Sequence, residues 1–249
     1  MTSTATLQPV RGDNVTALRR PPLLATPTAY TRASAYRRRH SRGLAHSEPA
    51  TSVAKRAFDV VTASMALLFL APLFVGIVIA IKATSPGPVF FRQHRYGYRN
   101  RLFKIYKFRS MRTELSDVGG TRQAVQGDPR VTALGRVLRA TSLDELPQLI
   151  NVIKGDMSLV GPRPHVPGML AADMLYEDLV PYYFQRHIAR PGITGLAQVS
   201  GCRGSTADAA AAIARIGYDL EYIEKWSLWV DVKVIARTVQ REFLSGSGF

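Results

Sequence analysis

The feature that most constrains this chain is an uncharged run at residues 60–81, "VVTASMALLFLAPLFVGIVIAI", 22 residues without Asp, Glu, Lys or Arg. As a straight helix it would extend roughly 33 Å, enough to cross a bilayer. It is too uniformly apolar for an ordinary core helix. It is not a cleavable leader, because more than 50 largely polar residues precede it and no convincing cleavage site follows. Two forms stay open: a kinked helix that spans, and a helix that enters one leaflet and turns back. Lys55 and Arg56 precede the run, and residues 82–112 carry nine Lys or Arg and no acidic residue, so both flanks favour the cytoplasmic side. Pro72, near the midpoint, removes a backbone hydrogen bond and bends a helix at a cost of about 3 kcal/mol. A helix broken at Pro72 reconciles apolar length with two basic flanks, although proline is also tolerated in spanning helices.

The rest of the sequence divides around this run. Residues 1–54 hold eight Arg against Asp13 and Glu48, with many Ser, Thr, Pro and Ala and no sustained apolar period, and they read as a disordered basic tail. Its cluster Arg37, Arg38, Arg39, His40, Arg42 suits anionic lipid headgroups; a solvated tail without a specific partner is the plainer reading. Residues 55–84 form the membrane helix and residues 85–249 a cytoplasmic domain. The net charge of +15 over 249 residues implies an anionic partner: nucleic acid, lipid or a phosphorylated small molecule. Cys202 is the only cysteine and the five histidines lack ligand spacing, which argues against disulfides and a zinc site.

Residues 89–91 read as a short strand, followed by a basic stretch with interleaved aromatics: Tyr96, Tyr98, Phe103, Tyr106, Phe108. Such interleaving suits nucleic acid, but beside a membrane segment it is better placed at the headgroup level, rings buried and charges outward. Val131, Leu134, Val137 and Leu138, then Leu143, Leu146, Leu149, Ile150 and Ile153, recur at helical spacing and predict two short packed helices. Residues 206–226 and 228–239 read as two more, the second capped by Ser227. Trp226 and Trp229 are either interfacial anchors or core aromatics, the latter being commoner. There is no repeat and no Gly-rich dinucleotide or P-loop motif.

Between the two short helices lies "TSLDELPQL", which puts Asp144 beside Glu145 in an otherwise basic chain. Ser142 with Glu145 three residues later has the form of a capping box. Pro147 disfavours helical angles in the residue before it, so the regular helix starts there or later. In either register the carboxylates lie at a helix N-terminus, whose dipole favours an ionised Asp144. The neighbourhood suggests more. Arg139 lies upstream; Asp156, Arg163 in "GPRPH" and Arg190 in "RPGITG" lie downstream, within or beside Gly-Pro punctuation typical of ordered loops. Carboxylates able to hold Mg²⁺, ringed by guanidinium groups that match phosphate oxygens, describe a phosphoryl-transfer site. An Asp can also attack phosphorus itself.

Taken in order, "KRAFDVVTA", "GPVFFRQHRYG", "FKIYKFRSM", "DPRVTALGRVLRATSLDELPQLINVIKGDMSLVGPRPH", "RPGITGLAQVSG" and "YDLEYIEKWSLWVDVKVIARTV" resemble the bacterial sugar transferases, monotopic phosphoglycosyl transferases that act on polyprenol phosphate. The resemblance covers residues 55–243. It implies an α-rich α+β, membrane-associated monotopic domain with a re-entrant N-terminal helix hairpin, interfacial amphipathic helices and few short strands. It also implies transfer of a sugar 1-phosphate from a UDP-sugar to undecaprenyl phosphate, with UMP released and Mg²⁺ required, Mn²⁺ being a substitute. Asp144 would attack the sugar-bound phosphate to form a covalent sugar-phosphoryl-aspartate; Glu145 would assist and share the metal. Arg139 and Arg163 would bind phosphate, with Lys107 near the lipid side and Arg190 as a further phosphate ligand. The implied partners are donor, acceptor and lipid bilayer, without nucleic acid; a homodimer is compatible. The implied location is the cytoplasmic face of the bacterial inner membrane.

Three positions depart from the family pattern. Ala71 stands where Ser often precedes the helix-breaking proline, so no hydroxyl serves the broken backbone there. Leu196 and Cys202 stand where glucose-type members commonly carry tryptophans. "PRPH" with His165, "RHIARPGITG" and "CRGST" nevertheless most resemble members that transfer glucose 1-phosphate to start exopolysaccharide units, so the donor expected is UDP-glucose, with UDP-galactose next. The chain reads as a short form carrying the catalytic module and a basic tail. A non-catalytic basic membrane adaptor, or a tethered nucleic-acid binder, explains the tail and the apolar run but not the acidic pair. A glycosyltransferase forming a simple glycosidic bond would release UDP instead of UMP.

Overall fold

Ser52 starts the first helix: its hydroxyl accepts the Lys55 N–H at 3.2 Å, and α1 (Val53–Phe69) follows. The computed structural model describes residues 49–112, 127–202, 204 and 206–245, so the expected tail, up to residue 48, lies outside the described residues. α2 (Ala71–Thr84) begins after a break at Leu70 (φ −88°, ψ 4°), with Pro72 in its first turn and no side-chain cap, because the cap residue Leu70 has no polar side chain. The two helices bend by 62°, and no described helix is long and apolar enough by itself to cross a membrane. They splay instead of packing as a hairpin, because each leg has its own apolar partner. Ala63 of α1, with Phe58, Ala66 and Leu67, enters the main core. Ile77 and Ile81 of α2 pack with Phe108 and Leu138 in a second cluster. Around the bend Met65, Leu68, Phe69, Leu73, Val75 and Ile79 stay exposed, Phe69 by 84%.

The strand expected at residues 89–91 is longer: β1 (Phe90–Tyr96) pairs antiparallel with β2 (Leu102–Phe108), in register from Phe90 opposite Phe108 to Tyr96 opposite Leu102. The basic aromatic stretch is thus largely a β-hairpin, turning through Arg99 and Asn100 at positive φ. Side chains alternate between faces. Phe90 and Phe108 stack at 5.7 Å and meet Phe74 of α2; on the opposite face lie Phe91, Gln93 and Arg95 with Lys107, Ile105 and Phe103.

The two short helices form where expected, as α3 (Ala133–Ala140), capped by Thr132, and α4 (Gln148–Lys154), which ends at Gly155 with φ 93°. Arg56 of α1 donates to the α4 carbonyls of Val152 and Ile153 at 2.6 and 2.8 Å. β3 (Ser158–Val160) pairs in parallel with β6 (Gly192–Thr194). A Cβ on Gly192 would sit 2.1 Å from the Gly161 nitrogen, so two chain segments cross here at a distance only glycine permits. Between these strands lie the small hairpin β4–β5 (Leu170–Ala171, Met174–Leu175), α5 (Tyr176–Leu179) and a 3₁₀ segment, Tyr183–Ile188.

After β6 come α6 (Leu196–Val199), α7 (Ala209–Glu224) and α8 (Leu228–Ser245). Asp208 caps α7, and Ser227 caps α8 by accepting the Val230 N–H at 3.2 Å. The two tryptophans separate: Trp226 packs inward and donates to Asp231 at 3.3 Å, whereas Trp229 is 63% exposed under Lys233. The ends of the fold meet in one buried polar knot. Lys55 of α1 bridges Asp59 at 2.9 Å and Asp231 of α8 at 2.8 Å. Asp59 also accepts the Ser158 hydroxyl and the Leu159 N–H, and Asp231 accepts the Tyr222 hydroxyl.

Candidate active site

The acidic pair sits in the break between α3 and α4. Ser142 adopts a left-handed conformation (φ 54°), and a single 3₁₀ turn, Leu143–Glu145, leads into Pro147 and α4. The capping box is not realised: Ser142 makes no side-chain cap bond, and the Glu145 carboxylate is engaged elsewhere. The leucines fix the turn from two sides, Leu143 and Leu146 in the second apolar cluster and Leu149 in the main core. The carboxylates are left facing Lys107 of β2 and Arg163 of the loop after β3.

Their surroundings differ sharply. Glu145 Oε1 accepts Lys107 Nζ at 2.7 Å and Arg163 Nη2 at 2.6 Å, while Oε2 accepts Arg163 Nη1 at 3.3 Å, a forked guanidinium–carboxylate contact. Asp144 is buried, 7% exposed. Its nearest cation is Lys107 at 3.8 Å, and among the described residues its carboxylate accepts no hydrogen bond. Burial raises the Asp144 pKa; Lys107 opposes this, the neighbouring Glu145 charge adds to it, and Arg139 in the last turn of α3 draws it back. The net direction is upward, so burial outweighs the helix-terminus effect expected from sequence. Burial also pushes Glu145 upward, but Arg163 and then Lys107 overcome it and hold the group well below the usual carboxylate range. Glu145 in turn raises Arg163. One carboxylate is locked and neutralised by cations; the other is desolvated and retains open lone pairs, the state that favours nucleophilic attack.

The fold brings together Asp144, Glu145, Lys107, Arg163 and Arg139. It does not bring Arg190 to them: that side chain donates to the Ala50 carbonyl, lies 5.7 Å from the Tyr98 ring, and is felt electrostatically at Arg56. Its Pro-Gly setting marks the backbone crossing at Gly192. Asp156 stays at the end of α4 with Lys154 and Asn151. Pro72 belongs to the helix break alone. A residue that the sequence reading missed is Arg95, which donates to Gln93 at 2.6 Å and to the Pro164 carbonyl at 3.3 Å. Burial and the adjacent Arg163 lower its pKa to about 10. The available signal was the alternation Phe91, Gln93, Arg95, visible only once that stretch is taken as a strand.

Among the described residues no group of three or more His, Cys, Asp or Glu converges as a metal cage. The donor set still fits Mg²⁺. An ionised carboxylate offers about four lone-pair sites; Glu145 uses three and Asp144 accepts no hydrogen bond. That suits a hard ion that takes few protein oxygens and completes its shell with phosphate and water.

A buried carboxylate pair held by phosphate-matching cations, beside a proline-broken apolar helix pair, is the equipment of a transferase. The description "Bacterial sugar transferase" matches residues 50–245, and the chain belongs to that family. It is 53% identical over 197 residues to the exopolysaccharide production protein PSS of Rhizobium leguminosarum bv. phaseoli, covering 79% of this chain and 98% of that one. It is 49% identical over 195 residues to the undecaprenyl-phosphate glucose phosphotransferase of Komagataeibacter xylinus, covering 78% of this chain and 37% of the relative. It is 48% identical over 195 residues to the UDP-glucose:undecaprenyl-phosphate glucose-1-phosphate transferase of Escherichia coli K12, covering 78% and 41%. The chain therefore spans nearly all of the first relative and about two fifths of the other two.

Proposed function

We propose that the chain moves a sugar 1-phosphate, glucose first and galactose next, from a UDP-sugar to undecaprenyl phosphate and releases UMP. This is the first membrane step of exopolysaccharide assembly, carried out at the cytoplasmic face of the bacterial inner membrane. The names of its relatives support the donor and acceptor. The observation that carries the mechanism is the asymmetry of the pair, a desolvated Asp144 that accepts no hydrogen bond among the described residues beside a Glu145 locked by Lys107 and Arg163.

In the first step an Asp144 oxygen attacks the phosphorus that bears the sugar. The bond from that phosphorus to the UMP oxygen breaks, and UMP leaves with the electron pair. In the second step an oxygen of undecaprenyl phosphate attacks the same phosphorus, the bond to Asp144 breaks, and the carboxylate is restored. Lys107 and Arg163, held in place by Glu145, together with Arg139 stabilise charge on the transferring phosphoryl group. Asp144 and Glu145 would hold Mg²⁺, which neutralises phosphate charge when bound.

The bent helix pair serves the acceptor. Residues 60–69 of α1 reach about 15 Å as a helix, half of a hydrocarbon core of roughly 30 Å, and the exposed side chains around the break are apolar. This supports a pair that enters one leaflet and returns, beside a lipid whose phosphate lies at headgroup depth.

The test is incubation of membranes containing the protein with radiolabelled UDP-glucose and Mg²⁺. We expect an organic-soluble product and UMP, and with donor alone a peptide containing Asp144 whose mass is raised by a hexose phosphate. Release of UDP would point to a simple glycosyl transfer. Absence of lipid product across several UDP-sugars would favour the non-catalytic adaptor.

A further inference from the structure

The loop that carries Arg163 is held by its backbone carbonyls, one after another, from three elements. Pro162 O accepts the Gly192 N–H of β6 at 3.0 Å, and His165 O accepts the Tyr96 N–H of β1 at 2.9 Å. Pro164 O accepts Arg95 Nη1 at 3.3 Å. Arg163 O, on the residue that forks Glu145, accepts Arg186 Nη2 at 2.6 Å. Arg186 lies in the 3₁₀ segment, is 1% exposed, and is fixed by Asp219 of α7, whose Oδ2 accepts its Nε at 2.8 Å and lies 2.7 Å from Nη2. A charge-assisted bond from a buried guanidinium to a main-chain carbonyl is a costly device where a neutral donor would serve. Here it sits directly behind the site.

We propose that Arg186, backed by Asp219, is a positioning residue that presets Arg163 against Glu145. The contacts run unbroken from α7 to the reacting carboxylate: Asp219 to Arg186, Arg186 to the Arg163 main chain, the Arg163 guanidinium to Glu145, Glu145 to Lys107, and Lys107 to Asp144. Glu145 takes two cations, so displacement of Arg163 leaves Lys107 alone to hold it and alters the field at Asp144. Arg186 performs this through geometry that lysine cannot copy. One planar fork reaches an aspartate oxygen and a carbonyl at once, whereas an ammonium is a point charge on a flexible stem.

The inference rests on the reading of Arg163 as a phosphate-binding group, and its test has one arm that does not. Arg186→Lys in the full-length protein, in nanodiscs, should leave the melting transition and membrane binding close to wild type. It should speed amide exchange at Tyr96 and Gly192, whose N–H groups donate to the loop carbonyls of His165 and Pro162, read by mass spectrometry without substrate. Transfer, as kcat/KM for the UDP-sugar, should fall about ten- to a hundred-fold, the scale of a small misplacement at a reacting centre. In an Arg163→Ala background the same change should cost less than about two-fold, because the residue it acts through is gone. A merely structural role would give the same loss in both backgrounds and would overturn the proposal, as would unaltered exchange at Tyr96 and Gly192. If Arg186→Lys does not fold, Asp219→Asn replaces it in the same cycle; failure of both variants to fold marks the pair as scaffold and overturns the proposal too. Altered exchange in a protein whose wild type shows no transfer would instead leave the positioning intact and remove the transferase reading.

Discussion

Asp144 and Glu145 are adjacent in sequence but opposite in electrostatic character, and that difference separates the outcomes of replacing them. Asp144→Asn keeps size while removing the attacking oxygen, so we expect transfer to be abolished with membrane association intact. A carboxyl whose folded pKa is raised contributes stability at low pH that is lost as pH rises through the folded value. At neutral pH the ionised, buried Asp144 is therefore a liability, and the Asn variant should melt no lower than wild type. Glu145 has the reverse sign: its folded pKa is depressed, so its contribution is present above the unfolded value and lost as pH falls through the folded one. Glu145→Gln leaves Lys107 and Arg163 without their shared counter-ion. We expect it to cost about 1–3 kcal/mol at neutral pH, less than the full penalty for a broken buried pair because Arg163 is partly exposed. Thermal denaturation at pH 7 checks both, and a stabilised Gln variant would contradict the locked role of Glu145.

At the scale of elements, the bent helix pair was legible because its signal is local: an uncharged run, one proline and basic flanks. What sequence could not supply was the angle, which depends on α1 and α2 packing against different clusters distant in sequence. The β-hairpin was missed for a related reason. Its alternation of Phe91, Gln93 and Arg95 is masked by basic and aromatic residues on both faces, and the proximity of the apolar run drew the stretch toward the headgroups. Where the helices break, Leu68 and Phe69 present a bare apolar surface. Placing a charge at such a site opposes insertion by roughly 2.5–3.5 kcal/mol per residue at the centre of a bilayer, and less at half depth. We expect Leu68→Asp with Phe69→Asp to shift the protein from the membrane pellet toward the soluble fraction in flotation, without unfolding the main core. Cysteines placed at Val53 and Leu102 should react from the same side of sealed vesicles; labelling from opposite sides would mean a spanning helix.

Across the whole molecule, the acidic pair and its upstream arginine were legible because they fall within a few residues of one another, Arg163 because Gly-Pro punctuation marks its loop, and Lys107 because a family motif marks it. Arg95, Arg186 and Asp219 were not, since each gains meaning only from a partner far along the chain. Arg190 illustrates the converse: its Pro-Gly neighbours announced an ordered loop, but the order serves the crossing at Gly161 and Gly192. The longest-range tie is the knot of Lys55, Asp59 and Asp231. Lys55→Met would leave two buried aspartates facing each other, and we expect a loss on the order of 3–5 kcal/mol, the usual cost of stripping one partner from a buried ion pair, measured as a lowered melting midpoint. During synthesis this knot imposes an order of events. At roughly 5–20 residues per second, the ribosome delivers Asp231 about 9–35 seconds after Lys55, so the apolar helix pair is complete while its anchor is still unmade. The helix pair thus forms before the fold closes around its own first turn.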